Sequence, residues 1–147
     1  MYLVNKIENT DTNKNLFNPF TVNRCHKLTN QGQLEYDSSY DTTDYIPIQK
    51  NKYIHISCLN FKTHEFADAY NGIISLAFYD SNYKLLWYKI RKPDNEEINP
   101  YKVISSSNTN DPAYFRMTYS ITGMYENSDI IVYVCDDPQF KLKKETY

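Results

Sequence analysis

The stretch Lys52-Tyr-Ile-His-Ile-Ser-Cys-Leu-Asn-Phe61 alternates apolar and polar side chains with a period of two. Ile54, Ile56 and Cys58 fall on one face, and Tyr53 and every second residue after it fall on the other. This period is the pattern of a half-buried β-strand, because successive side chains of a strand point to opposite faces of its sheet. The stretch therefore predicts a sheet with one face in a core.

Seven further segments have strand character. In the segment 113–120, Phe115, Met117 and Tyr119 share one face, and in the segment 72–80 the shared face carries Ile74, Leu76 and Phe78. The other predicted strands are 21–28, 45–48, 83–90, 101–106 and 129–135. About eight strands at these spacings, with no alternation of strands and helices, predict an all-β antiparallel β-sandwich.

Turn-forming residues separate these segments. Pro47 keeps its predecessor extended, and Gly32 provides a position that accepts positive φ. Asp80-Ser81-Asn82 predicts a hairpin turn, and one short helix is predicted at 64–70. The resulting organisation is a polar N-terminal arm (1–14), a β-sandwich domain (15–135) that opens with a turn carrying a small apolar plug (15–19), and a C-terminal tail (136–147).

Composition narrows the class of protein. The chain has 147 residues and a formal net charge of −2, which argues against a nucleic-acid-binding surface. No apolar run is long enough to span a membrane. The three cysteines, Cys25, Cys58 and Cys135, are too few and too widely spaced for a disulfide framework and are predicted to be reduced. Aromatic residues make up 16% of the chain, a composition suited to strands and contact surfaces.

The motifs that enzymes use are missing from the sequence. The three glycines are isolated, which excludes a glycine-rich phosphate loop, and no Gly-x-Ser-x-Gly is present. The histidines and cysteines lack the spacing of zinc ligands. Asp41 and Asp44 share one turn and are read as turn formers, with a calcium site as the alternative. The sequence thus predicts no enzymatic activity, no cofactor and no metal.

Trp87 and Tyr88 are the first candidates for a recognition surface. If Leu85 and Trp87 share the core face, Tyr88 lies outside; in the opposite register Trp87 is exposed and can stack on a sugar ring. Tyr53, Tyr79 and Tyr114 are predicted to point outward as glycan or partner contacts, because tyrosine is enriched at interfaces.

Several blocks together resemble a known family. They are Asn15-Leu-Phe-Asn18, Gly32, the run 38–48, Tyr53-Ile54, Ile74-Ser-Leu-Ala-Phe-Tyr-Asp-Ser-Asn82 and Ala113-Tyr-Phe-Arg-Met-Thr-Tyr119. In order and spacing they resemble the jelly-roll modules of bacteriophage tail, baseplate and fibre proteins, which are carbohydrate-binding-like in fold. The resemblance covers residues 15–133. The segments 61–71 and 91–99 look longer than in those modules.

The resemblance implies a jelly-roll fold and a function. A module that stands almost alone resembles a non-enzymatic virion structural protein, a head-fibre or fibre-tip subunit that assembles with itself and with other virion proteins. Such a subunit is made in the host cytoplasm and located in the virion. Because the family includes both connectors and glycan binders, the alternative is a receptor-binding module for host cell-wall glycan. Nucleic acid and membrane are not expected partners.

Overall fold

The computed structural model describes residues 15–63, 66–68, 72–91, 101–103, 111–122 and 128–137, with 66–68 described by the backbone only. These residues form eleven β-strands and no α-helix, which confirms the all-β prediction. The described part of the chain thus offers no helix suited to crossing a membrane. The strands are β1 (His26–Leu28), β2 (Leu34–Tyr36), β3 (Tyr40–Thr42), β4 (Ile46–Pro47), β5 (Tyr53–Asn60), β6 (Phe66–Asp68), β7 (Ile73–Tyr79), β8 (Leu85–Ile90), β9 (Tyr101–Lys102), β10 (Tyr114–Ser120) and β11 (Ser128–Cys135).

Two antiparallel sheets face each other. In the first, β3 and β4 lie one after the other along the same edge of β10, which is followed by β7 and β8. In the second, β11 pairs along the whole of β5, whose other edge carries β9 at one end and β6 at the other. Each of the eight predicted strands overlaps an observed strand, whereas β2, β3 and β6 were not predicted.

The helix predicted at 64–70 is wrong. Phe66–Asp68 is the strand β6, and it pairs antiparallel with Ser57–Leu59 of β5. The local sequence Glu65-Phe-Ala-Asp-Ala69 favours a helix only weakly, and pairing with an existing strand outweighs such a local preference.

The core lies between the two sheets. From the second sheet it receives Ile54, Ile56 and Cys58 of β5, as predicted, together with the even-numbered residues 130–134 of β11. The first sheet contributes Phe115, Met117 and Tyr119 of β10, together with Ile46, Ile73, Leu76 and Phe78. Residues of both sheets thus form one continuous cluster, which makes the fold an antiparallel β-sandwich.

Two β-bulges change the predicted faces in the first sheet. The register passes from Thr118↔Ser75 to Tyr119↔Ile73, so that Ile74 has no partner on β10 and Ile73 takes the predicted core position of Ile74. On β8 the register passes from Phe78↔Trp87 to Tyr79↔Leu85 and omits residue 86. A bulge inserts one residue into a strand and thereby reverses the faces beyond it.

The β1–β2 hairpin forms a third layer on the outer face of the first sheet. Leu28 of β1 is buried against Ala77 and Tyr79 of β7, and its backbone N–H donates to the Thr118 hydroxyl at 3.0 Å. The loop of the hairpin contains Gly32 at φ 71°, as predicted. The hairpin is thus covered by the first sheet at Leu28 of β1, whereas all three residues of β2 are exposed.

The segment before β1 is attached to the edge of β11. The side chain of Asn15 accepts a hydrogen bond from Val132 N–H at 2.8 Å and donates to the Ile130 carbonyl at 2.9 Å, while Leu16 N–H donates to the Val132 carbonyl at 2.8 Å. Leu16 and Phe17 pack against the core, which confirms the predicted apolar plug.

Other predictions concern the cysteines and segments outside the core. Cys25, Cys58 and Cys135 are all free, and the last two are buried, in agreement with the sequence. Residues 1–14, 92–99 and 138–147, which make up the predicted arm, a charged loop and most of the tail, lie outside the described residues.

Candidate functional site

Four tyrosines meet on the outer face of the first sheet, at the end where β10 begins. The ring of Tyr45 lies 4.9 Å from that of Tyr79, 4.8 Å from that of Tyr83 and 6.0 Å from that of Tyr114, in edge-to-face arrangements. Tyr83 and Tyr114 stack with their centroids 4.9 Å apart. We call these four residues the tyrosine cluster.

Strand pairing brings the cluster together. Tyr114 is paired with Tyr79 on one side and with Pro47 on the other, so that β4 and the adjacent Tyr45 lie beside the first residue of β10. Because Tyr114 and Tyr79 are directly opposite each other, their side chains share the outer face. Tyr45 therefore reaches the pair from the neighbouring strand.

The hairpin turn between β7 and β8 presents Tyr83. The Asp80 carboxylate accepts hydrogen bonds from the backbone N–H of Asn82 at 2.8 Å and of Lys84 at 3.0 Å. Tyr83 itself has φ 63°, the left-handed region that bulky residues rarely adopt. This conformation leaves the Tyr83 side chain 53% exposed while its inner ring face stacks on Tyr114. Hydrogen bonding with the Tyr114 hydroxyl raises the pKa of Tyr83.

Arg116 lies beneath the cluster and is only 6% exposed. Its Nε–H donates to the carbonyl of Thr43 at 2.9 Å, and its guanidinium carbon lies 4.7 Å from the centroid of the Tyr45 ring, a cation–π contact. Thr43 is fixed in turn by β10, because it exchanges two hydrogen bonds with Met117: its hydroxyl accepts from Met117 N–H, and its own N–H donates to the Met117 carbonyl.

Tyr79 is buried, which corrects the prediction that it is a contact residue. It points outward from its sheet as predicted, but the β1–β2 hairpin covers it and leaves it 2% exposed. Its hydroxyl donates to the Gly32 carbonyl at 2.7 Å. Burial raises the pKa of Tyr79 to about 12, against the opposing attraction of the Arg116 guanidinium. Tyr79 thus supports the cluster from below.

Trp87 faces the core, which settles the register that the sequence left open. Its ring stacks on Phe78 at 4.8 Å, and its indole N–H donates to the Tyr101 hydroxyl at 3.0 Å. The bulge places Leu85 on the opposite face, together with Tyr88, although the sequence predicted that Leu85 and Trp87 would share a face. Trp87 is half-buried and is held by these two contacts.

The remaining predicted contact residues lie apart from one another. Tyr88 is half-buried on the outer face, where its hydroxyl is 3.4 Å from the Leu28 carbonyl. Tyr53 belongs to the second sheet and is half-buried, with the Lys102 ammonium 6.0 Å from its ring centroid. Of the five predicted residues, the structure brings only Tyr79 and Tyr114 into the cluster. Tyr45, Tyr83 and Arg116 were missed.

The two acidic residues of the alternative calcium site, Asp41 and Asp44, lie in different surroundings. Asp41 is 4% exposed, and its carboxylate accepts from the Arg24 guanidinium at 3.2 Å and from Cys25 N–H at 2.9 Å. Asp44, the other half of the alternative calcium site, is exposed. Within the described ranges, no three His, Cys, Asp or Glu residues are arranged to hold a metal ion.

Comparison of this chain with models of protein families, with curated proteins and with solved structures found no match.

Proposed function

We propose that this protein is a non-enzymatic structural subunit of a bacteriophage particle, of the head-fibre or fibre-tip kind, which assembles with itself and with other virion proteins. The β-sandwich fits the modules that the sequence resembles. The observation that supports the assembly function is the solvent exposure of one aromatic residue: Phe20 is 95% exposed.

The turn that carries Phe20 is well ordered by hydrogen bonds. Phe20 N–H donates to the Asn18 side chain at 2.9 Å, and Thr21 N–H donates to the Asn18 carbonyl at 3.3 Å. Phe17, on the same segment, packs on Tyr119 at the edge of the core with centroids 6.0 Å apart. Phe20 is thereby fixed to the body of the domain and does not fold back onto it, as an anchor for a partner requires.

A protein contact at Phe20 is tested by light scattering and by incorporation into particles. Burial of a phenylalanine side chain contributes about 1.5–3 kcal/mol, so Phe20→Ser should weaken self-association by about ten- to a hundredfold. Phe61→Ser is the matched control, because Phe61 is also an exposed phenylalanine, at 54%, but follows β5. A strictly monomeric wild type that binds no virion protein contradicts the proposal.

The tyrosine cluster favours a second candidate function, recognition of host cell-wall glycan. Tyr83 offers an exposed aromatic face, and phenol hydroxyls next to it can donate and accept hydrogen bonds. Binding of the protein to isolated host envelopes should fall on Tyr83→Ala and remain unchanged on Tyr36→Ala, which removes a tyrosine that is 71% exposed elsewhere. Equal loss with both variants, or no envelope binding by the wild type, contradicts this function.

A further inference from the structure

We infer that Arg116 and the tyrosine cluster form one binding site for an acidic saccharide, in which the guanidinium binds the acid group, a carboxylate or a phosphate, and Tyr83 stacks on the sugar ring. The inference rests on the second proposed function, and it adds the chemical class of the glycan.

The first argument is the missing counter-charge of Arg116. This arginine is more than nine-tenths buried, yet no carboxylate among the described residues forms an ion pair with it. Arg24 makes the contrast clear, because its side chain is 70% exposed and nevertheless pairs with the buried Asp41. A buried charge without a partner of opposite sign destabilises a folded protein, and an anionic ligand would remove that cost.

The second argument is the hydrogen-bonding capacity that remains on Arg116. Of its five N–H donors, the one on Nε donates to the Thr43 carbonyl, and the guanidinium also interacts with the Tyr79 hydroxyl, so donors remain beyond these two contacts. In the part of the chain that the structure describes, the fully sealed polar side-chain atoms without a partner are Ser75 Oγ and Ser128 Oγ, and the two terminal nitrogens of Arg116 are not among them. Each of these nitrogens therefore either reaches solvent or has a partner, and the donors that Thr43 and Tyr79 leave over belong to a planar fork that matches the two oxygens of a carboxylate or a phosphate.

The third argument is the surroundings of the guanidinium. Tyr45 contacts Arg116 and also both members of the stacked pair Tyr83 and Tyr114, so a single residue connects the buried cation with the exposed aromatic face. The residues beside Tyr83 in its turn, Asn82 and Lys84, are polar and exposed. An apolar peptide anchor would find little to pack against here, whereas a sugar ring uses an aromatic face together with polar neighbours.

Asp44, the acidic residue next to Tyr45, does not form an ion pair with Arg116 among the described residues. Asp44 precedes Tyr45 in the chain, is exposed, and its carboxylate accepts a hydrogen bond from Tyr45 N–H at 2.8 Å. Its charge acts on the Tyr83 hydroxyl, and it forms no ion pair with the guanidinium. Asp44 therefore lies toward the rim of the site, where it would disfavour a second acid group close to Tyr83.

NMR titration of the full chain with defined saccharides tests the inference. Tetragalacturonate supplies carboxylates, glucose 1-phosphate supplies a phosphate, and cellotetraose is the neutral control. We expect at least one acidic saccharide to shift the amide resonances of Tyr83, Tyr114 and Arg116, and cellotetraose to leave them unchanged. Arg116→Lys keeps the charge but loses the planar fork, and should weaken binding about tenfold. Tyr83→Ala, at an exposed position, should weaken it in a folded protein, whereas Tyr36→Ala should not.

Three results would overturn the inference, and they are distinguishable from failure of the proposed function. If neither acidic saccharide shifts these resonances while host envelopes still bind, the glycan function stands and the acid-group site is wrong. If cellotetraose shifts these resonances as strongly as the acidic saccharides do, the acid-group site is also wrong. A response to tetraglutamate without a response to either saccharide identifies a protein-docking surface instead. If Arg116→Lys does not fold, Tyr83→Ala against Tyr36→Ala decides the question.

Discussion

The first sheet carries a group of aromatic residues on each of its faces, and the two groups differ in chemistry. The inner group is a stack in the core, in which the Phe78 ring lies 4.8 Å from Trp87, 4.8 Å from Tyr101 and 6.2 Å from Phe115. The outer group is the tyrosine cluster, with Arg116 beneath it. Strands β7 and β10 contribute to both groups, whereas Tyr101 of the inner group comes from β9 of the second sheet.

In β7 and β10, adjacent residues belong to opposite groups. Phe78 faces in and Tyr79 faces out, and the same holds for Phe115 and Tyr114 on the partner strand, since successive residues of a strand alternate. Inside, one hydrogen bond, from the Trp87 indole to the Tyr101 hydroxyl, satisfies the two polar atoms of the stack. Outside, phenols and a guanidinium remain near solvent. The sheet therefore separates a stabilising surface from a surface suited to binding.

The largest effect should come from truncating the centre of the inner stack. Phe78 is fully buried, and Phe78→Ala should lower the free energy of unfolding by about 3–5 kcal/mol, since it removes apolar contacts and leaves a cavity. Tyr83→Ala, in the outer group, should cost less than about 1 kcal/mol. Urea denaturation measures both. Equal losses would mean that the outer group is also a stabilising element.

A second, smaller effect should come from the polar contact that attaches the β1–β2 hairpin to the outer face. The buried Thr118 hydroxyl accepts from Leu28 N–H at 3.0 Å and bonds the Thr42 hydroxyl at 2.9 Å. Thr118→Val leaves that N–H unsatisfied and should cost about 1–3 kcal/mol. Ser75→Ala, at the position paired with Thr118, is the control. The buried Ser75 hydroxyl has no hydrogen-bond partner among the described residues, so its removal should be neutral or slightly stabilising in the same urea assay.

A side chain at Gly32 should destabilise the β1–β2 hairpin. Its φ is 71°, and a Cβ there would lie 2.8 Å from Leu85 Cδ1 and 3.0 Å from the Tyr79 hydroxyl. We expect Gly32→Ala to lower the free energy of unfolding by about 1–2 kcal/mol, because the left-handed conformation and the close approach both disfavour alanine. Gln31→Ala changes the exposed neighbouring position and should have almost no effect. If thermal denaturation gives similar melting temperatures for the two variants, the hairpin does not pack as described.

The last effect should appear only in alkali. The pKa of Tyr79 is raised from 10.0 to about 12 in the folded protein, so between these pH values the unfolded chain loses this proton more readily than the folded one. The contribution of Tyr79 to stability is therefore complete below pH 10 and declines as the pH approaches 12. Melting temperatures measured by circular dichroism should fall less steeply over this range in Tyr79→Phe than in wild type. Identical slopes would show that the Tyr79 hydroxyl is not buried.

Much of this fold follows from local sequence. The alternation in 52–61 and in 113–120 identified the core faces of β5 and β10, and Gly32 was predicted at a turn, where its φ is 71°. Local sequence did not reveal the two bulges, because a bulge depends on the register between strands and not on the composition of either strand. This is why Ile74 was predicted to share the core face with Leu76 and Phe78, and Leu85 to share the face of Trp87.

The candidate site was less predictable than the fold. Alternation placed Tyr114 and Arg116 on the outer face correctly, but their proximity to Tyr45 depends on the pairing of β4 with β10, across about seventy residues of chain. The direction of Tyr83 depends on its positive φ, which no property of a tyrosine predicts. Tyr79 was predicted to face outward, and only the position of the distant β1–β2 hairpin shows that it is covered.

The two bulges have a consequence for changes in chain length. Because the pairing passes over residue 86, a chain lacking Leu86 would keep Leu85 outward and Trp87 inward, and its ladder would become regular. Ile74 is likewise the extra residue of β7, so its deletion would also leave the faces of its neighbours unchanged. Deletion of Ala77, in a regular part of β7, would instead exchange the inner and outer faces for every strand residue on one side of the deletion. Deletions that arise during divergence of this sequence should therefore be tolerated at these two places and eliminated in the rest of both strands.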